Sequence, residues 1–243
     1  MKTLPSSSQF IQAHADGAIG WLVLNRPVRR NALNAEMWAA IPPLVQALEA
    51  NPEVRVIIIR GEGQEAFAAG ADISEFGEAR NDAAAAARYE ELTGQAFPAI
   101  RACAKPVSAM VRGFCIGGGL VIALACDIRI ADATALFSLP PARLGLAYPL
   151  DGLKDLVATV GAPAAKEMIF TSRRIKADEA LRMNLINRLA ADLEAETRSL
   201  AYDIAEGAPF TLTHAKRAID FITERPGHED DAEVAWLGQR CFD

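Results

Sequence analysis

The sequence predicts an α/β fold, and three observations carry that prediction. Runs rich in β-branched residues alternate with stretches in which apolar residues recur every three to four positions, the pattern of strands laid against helices. A glycine triplet, Gly117–Gly119, stands between a strand-like run and a short apolar run of helical length. The remainder of the chain, from about residue 150, is helical in pattern almost to its end. With 243 residues the chain can bury a substantial core, either as one large domain or as a domain with an appendage.

Taken in order, "AIGWLVLN" (18–25) reads as a strand that stops at Pro27, because the residue before a proline avoids helical angles. "NALNAEMWAAIPPLVQALEANP" (31–52) places Leu33, Met37, Ile41, Leu44 and Leu48 on one helical face, with Pro42 and Pro43 expected to distort it. "VRVIIIRG" (54–61) is a β-branched strand, followed by the loop "EGQEAFAAGADISEF". An alanine-rich helix is expected from about 82 to 103, then the strand "KPVSAMVRG", the glycine triplet, a short helix and a strand near "DIRIAD". "GLKDLVATVG", "APAAKEMIF", "KADEALRMN", "DLEAETRSLAYDIAEG" and "FTLTHAKRAIDFITE" complete the chain as helices. The strands are thus expected within the first 140 residues. The division that follows is a core over 1–190 and a C-terminal helical region over 191–243.

Composition narrows the function classes. The net charge of −6 argues against a nucleic-acid partner, which would need clustered Lys and Arg. The start, "MKTLPSSSQF", lacks a signal-peptide core and no apolar stretch is long enough to span a membrane, so the reading is a soluble cytoplasmic protein without a membrane partner. Cys103, Cys115, Cys126 and Cys241 form no C-x-x-C pair and have no histidines at zinc spacing, so free thiols are expected and no metal site.

The triplet in "RGFCIGGGLVIALACDIRIAD" fits neither G-x-G-x-x-G, where Ile122 stands in place of the last glycine, nor the P-loop, where Gly119 stands in place of lysine. What remains is strand, glycine turn and helix, which leaves the first helical N–H groups unpaired and aimed at whatever lies in front. Close packing of the helix on a sheet is the alternative reading. A second glycine loop, "FAAGADIS" (67–74), also directly follows a strand. Two such loops can converge their N–H groups on one oxygen and so form an oxyanion hole without polar side chains.

Four segments, "LNRPVRRNALN", "AFAAGADISEF", "KPVSAMVRGFCIGGGLVIALACDIRIA" and "FSLPPARLGLAYP", together resemble, in order, the signatures of the crotonase superfamily, which includes enoyl-CoA hydratases and isomerases. The resemblance implies a spiral of ββα units, a C-terminal helical trimerisation region giving a homotrimer or dimer of trimers, and an acyl-CoA substrate. Coenzyme A would enter as part of that thioester, with no permanently bound cofactor. The family's oxyanion amides carry over to Ala71 and Gly118. Ala69, Gly70, Asp72, Ile73, Ser74 and Gly117 would line the coenzyme, and Arg29, with Arg30, would lie near its phosphates.

The same resemblance marks an omission. The family's catalytic glutamates fall on Val121 and Pro141, and a third acid position falls on Pro149. None of these side chains can move a proton. Candidates nearby are Asp151, which as an N-cap would have a structural role and as a displaced acid a chemical one, and Tyr148, which matches a tyrosine of the superfamily's methylmalonyl-CoA decarboxylases. Asp72 and Glu75 are expected to cap the helix after "AGAD". Cys115 reads as a packed thiol before a nucleophile, and His14, His214 and His228 as scattered. Three functions therefore stand: a hydratase or isomerase with a relocated acid, a decarboxylase of a malonyl-type thioester, and a non-catalytic thioester-binding subunit.

Overall fold

The computed structural model describes residues 2–72, 74, 83–145, 148, 150–224, 236 and 240. The chain opens with β1 (Lys2–Leu4), β2 (Ile11–Asp16) and β3 (Ile19–Leu24), followed by a 3₁₀ turn over Pro27–Arg29, α1 (Ala35–Ala50), β4 (Val56–Gly61) and β5 (Ala66–Ala68). Next come α2 (Ala83–Ala102), β6 (Val107–Val111), β7 (Phe114–Ile116), α3 (Gly118–Ala125), β8 (Ile128–Ala131) and β9 (Leu136–Ser138). The rest is α4 (Pro141–Leu144), α5 (Leu150–Thr171), β10 (Ile175–Lys176), α6 (Ala177–Arg182), β11 (Arg188–Leu189), α7 (Leu193–Glu206) and α8 (Pro209–Glu224).

Among the described residues the strands form two sheets, one in the order β1-β2-β3-β4-β6-β8-β11 and one in the order β10-β9-β7-β5. From β3 to β11 the neighbours of the larger sheet run parallel. Parallel strands of this kind are covered on both faces, and β3 is buried at all six residues. The period of two divides it cleanly. Leu22, Leu24, Ile57 and Ile59 enter the main core with α1 and the second sheet, while Ile19, Trp21, Val23, Val56 and Ile58 face Ala201 of α7. At roughly 25 cal/mol per Å2 of apolar surface, burying one such side chain contributes about 1.5–3 kcal/mol.

Two expectations need correction. Strands are not confined to the first 140 residues: β10 completes the small sheet and β11 extends the large one. These segments are two residues long, too short to show a period. Pro42 and Pro43 leave α1 unbroken, with Asn34 capping it by accepting from Met37 N–H at 3.0 Å. The outer proline is exposed, where water can satisfy carbonyls that the rings leave without donors. The helical stretches on either side of Gly161 are two helices, as expected; they meet at a kink where Gly161 leaves helical angles, with φ 77°, and are labelled together as α5.

Candidate active site

The geometry of the site follows from the pairing of two short strands. β5 and β7 lie side by side and parallel, with Ala66 opposite Phe114 and Ala68 opposite Cys115, so the loops that leave their carboxyl ends must emerge together. One loop is 69–72 and the other is the glycine triplet. Gly70, at φ 101°, and Gly117, at φ 51°, hold backbone angles that other residues rarely adopt. A Cβ on Gly117 would stand 3.8 Å from the Gly70 Cα. Gly119 serves a different end, since a Cβ there would collide with the Ala68 carbonyl oxygen. The close-packing reading of the triplet therefore holds at Gly119, while Gly117 lets the two loops approach each other.

Ala71 and Gly118 are neighbours. A Cβ on Gly118 would lie 3.8 Å from the Ala71 nitrogen, and one on Gly70 would lie 3.8 Å from the Gly118 nitrogen. Ala71 forms a parallel bridge with Leu33, in which Leu33 N–H donates to Gly70 at 2.8 Å and Asp72 N–H donates to Leu33 at 2.8 Å. That register spends the groups on either side of Ala71 and leaves its own N–H over. Gly118 is the first residue of α3, where a helical N–H has no intrahelical acceptor. Among the described residues, neither amide donates a hydrogen bond. Trp38 walls this point, its buried ring crossing Phe97 edge to face at 5.4 Å.

Val121 follows Gly118 by three residues and so lies on the same side of the first turn of α3. Tyr148 joins it there: a Cβ on Gly152 would meet Tyr148 Cε1 at 3.1 Å and Val121 Cγ1 at 3.5 Å. The Tyr148 hydroxyl is buried and has no hydrogen-bond partner among the described residues. Burial, and then the neighbourhood of Cys115 and Asp155, raises this phenol well above its ordinary value near 10, so it stays neutral. Pro141 is buried at the start of α4.

The other sequence candidates separate. Ala69 donates to the Arg30 carbonyl at 3.0 Å, and Arg29 is exposed at the end of the 3₁₀ turn. Asp72 is not simply a cap. Its carboxylate accepts from Ser74 N–H at 3.0 Å and Ser74 O–H at 2.6 Å, and it also pairs with Arg26 at 2.6 Å. Its N–H is committed to Leu33. Asp151 lies inside the first turn of α5, not ahead of it, because the helix already starts at Leu150. Ile73, Glu75, Pro149, His228 and Cys241 lie outside the described residues. Cys103, Cys115 and Cys126 are free and buried, and burial holds the Cys115 thiol well above its ordinary value, which suits packing and not nucleophilic attack. His14 stacks on Trp21 away from the loops. Among the described residues no cluster of His, Cys, Asp or Glu could hold a metal ion, and no helix is long and apolar enough to cross a membrane.

Sequence reasoning missed Arg26 and Asn31. Arg26 reaches both Asp72 and the Ala32 carbonyl, and the buried Asn31 accepts from Arg26 N–H while donating to Glu62 and Ala66. Their one signal was position, in the "NRP" and "RNAL" of the first quoted segment.

Comparison with known proteins identifies the family. The family model for enoyl-CoA hydratase/isomerase matches residues 14–234. The short-chain-enoyl-CoA hydratase of Clostridium acetobutylicum is 36% identical over 207 residues, covering 84% of this chain and 78% of that protein. The crotonyl-CoA hydratase of Syntrophomonas wolfei is 37% identical over 200 residues, covering 81% and 76%. Among solved structures, an enoyl-CoA hydratase/carnithine racemase from Magnetospirillum magneticum superposes with a TM-score of 0.92 at 35% identity, covering 98% of this chain and 89% of that one. An enoyl-CoA hydratase/isomerase family protein from Hyphomonas neptunium gives a TM-score of 0.92 at 38% identity, covering 98% and 91%. The chain belongs to the enoyl-CoA hydratase/isomerase family, within the crotonase superfamily, and is an enzyme of that type.

Proposed function

We propose that this enzyme acts on an acyl-CoA thioester through an enolate whose oxygen is held by the N–H groups of Ala71 and Gly118, without the usual glutamate pair. The observation that carries this reading is the pair of neighbouring amides, neither of which donates within the described protein. One preorganised donor of this kind contributes about 3–4 kcal/mol of transition-state stabilisation. Ala69, Gly70, Asp72, Ile73, Ser74 and Gly117 would line the coenzyme, with Arg29 toward its phosphates. Coenzyme A takes part only as half of the substrate. The relatives' names favour hydration or isomerisation, in which Asp151 or an ordered water would carry the proton that Val121 and Pro141 do not.

The Tyr148 hydroxyl, without a partner among the described residues, favours a second reading, decarboxylation of a malonyl-type thioester. There the bond to the carboxylate breaks, its electron pair passes to the thioester oxygen, and carbon dioxide leaves. No base has to remove a proton, and a neutral phenol can orient the carboxylate. In both readings residues 1–190 bind the thioester in the cytoplasm, and 191–243 supply the contacts of a homotrimer or dimer of trimers. The outward Phe210, Ile219 and Ile222 of α8 support that division.

A panel of acyl-CoA thioesters followed by mass spectrometry tests the proposal. Turnover of crotonyl-CoA at a rate that survives both Asp151→Asn and Tyr148→Phe would refute the residue assignments. Absence of carbon dioxide release from methylmalonyl-CoA would remove the second reading.

A further inference from the structure

The loop between β3 and α1 is built as a template for the loop that carries Ala71. Asn31 fastens it to the β4–β5 turn, with its Nδ2 donating to Glu62 at 3.0 Å and Ala66 at 2.8 Å. Leu33 then bonds to both residues that flank Ala71, and Ala69 bonds back to Arg30. One side chain crosses between the two loops. Arg26 Nη1 donates to Asp72 Oδ2 at 2.6 Å and to the Ala32 carbonyl at 3.1 Å, with its guanidinium 5.3 Å from the centre of the Phe10 ring. Both partners are largely removed from solvent, with side-chain exposures of 15% and 8%.

Stability alone does not account for such a pair. An ion pair taken out of water loses in desolvation much of what it gains in attraction, so apolar replacements are often no worse. What the pair does supply is direction: it fixes the residue immediately after Ala71 through its side chain, in addition to the backbone bond from its N–H to Leu33.

We infer that Arg26 is a positioning residue, acting through Asp72 to hold the Ala71 N–H toward the thioester oxygen. The inference rests on the reading of that amide as an oxyanion donor. A displacement of about 1 Å at a reacting group lowers rate by about 100-fold, so losing the clamp should act on turnover more than on binding.

Acetoacetyl-CoA gives a readout that does not depend on which reaction the enzyme performs, because its acidic α-carbon yields an enolate whose ultraviolet band reports the oxyanion site. In Arg26→Met the bound enolate fraction should fall about 10-fold or more with the Kd for the thioester within about 3-fold of the parent. Arg26→Lys should recover part of the band. Asp72→Asn, close in shape to the parent, should reproduce the loss if Arg26→Met folds poorly. An amide-to-ester replacement at Ala71 separates this inference from the reading beneath it. If that replacement removes the band and Arg26→Met lowers it in the parent with Kd little changed, the inference stands. If the ester removes the band but Arg26→Met and Asp72→Asn leave it intact in the parent, or raise Kd in equal measure, the positioning role is wrong and the donor reading survives. If the ester leaves the band unchanged, the donor reading fails and the inference with it.

Discussion

Asn31→Ala offers a measurement of how firmly the template loop is anchored. Asn31 is fully buried and holds φ 55°, a left-handed angle that asparagine tolerates and alanine adopts at a penalty of about 1 kcal/mol. Its side chain makes three hydrogen bonds: Arg26 N–H donates to it at 2.9 Å, and it donates to the Glu62 and Ala66 carbonyls. Each buried partner left unpaired costs about 1–3 kcal/mol, less where water can reach it, as at the partly buried Glu62. The sum is about 3–5 kcal/mol. For a chain of this size that corresponds to a fall in Tm of roughly 6–20 °C, measurable by calorimetry alongside urea unfolding. Asn31→Asp keeps the acceptor for Arg26 but replaces Nδ2, the source of both donated bonds, by an oxygen that faces two carbonyls. It should therefore cost at least as much as alanine at pH 7 and recover on acidification, when protonation restores one donor. A cost for Asn31→Ala below about 1 kcal/mol, or an aspartate better tolerated than alanine at pH 7, would show that these bonds do not anchor the loop.

Other outcomes follow from the same contacts. Tyr148→Phe removes a hydroxyl that has no partner among the described residues, so urea unfolding should change by less than about 1 kcal/mol, while the decarboxylation reading requires carbon dioxide release to fall sharply. Since the folded phenol ionises above the unfolded one, wild-type stability should decline as pH rises past about 10, and Tyr148→Phe should decline less. Burial opposes ionisation of Asp72, but the Ser74 and Arg26 hydrogen bonds outweigh it and lower its pKa. Its stabilising contribution is then complete above about pH 4 and disappears as pH falls through the folded value, so acid unfolding of Asp72→Asn should be less steep than that of the parent. Iodoacetamide at pH 8 should leave Cys103, Cys115 and Cys126 unmodified in a folded Cys241→Ser background, because all three are buried and their thiols ionise only well above that pH.

Much of the large sheet was legible because its strands are long and buried on both faces, which gives continuous runs such as "VIIIRG" in β4. The small sheet was not. β5, β7 and β9 are three residues long, and β7 and α3 share a single apolar run in which no period separates strand from helix. Yet this sheet brings the two loops together. The meeting of Ala71 with Gly118 was foreseen through the resemblance and the glycines, whereas its physical cause, the parallel pairing of β5 with β7, left no mark in the residues. Arg26 and Asn31 escaped notice for a related reason. Their roles depend on partners 31 to 46 positions away, and a lone arginine or asparagine shortly before or after a proline reads equally well as a solvated turn.

The reading that Val121 and Pro141 stand where the family carries its carboxylates bears on the electrostatics of the proposed site as well as on its proton chemistry. A glutamate beside the thioester oxygen would repel the charge that forms there, and an enzyme that carries one accepts this repulsion because it needs the proton transfer. Val121 and the neutral Tyr148 ring instead form a wall without charge next to the start of α3. In such surroundings the effective dielectric is low, and an interaction between an enolate oxygen and two amides at a helix start is correspondingly strong. That favours reactions in which the enolate is made by losing a group and not by losing a proton. The competing reading needs an acid to be brought to the same wall, and Asp151 in the first turn of α5, one residue before Gly152, is placed on the element that flanks it. The two readings thus differ in whether a charge enters this wall during turnover. Val121→Glu distinguishes them: it should depress decarboxylation of methylmalonyl-CoA by adding a charge beside the enolate, and it should raise any hydration of crotonyl-CoA by supplying the proton-transfer group that the first reading lacks.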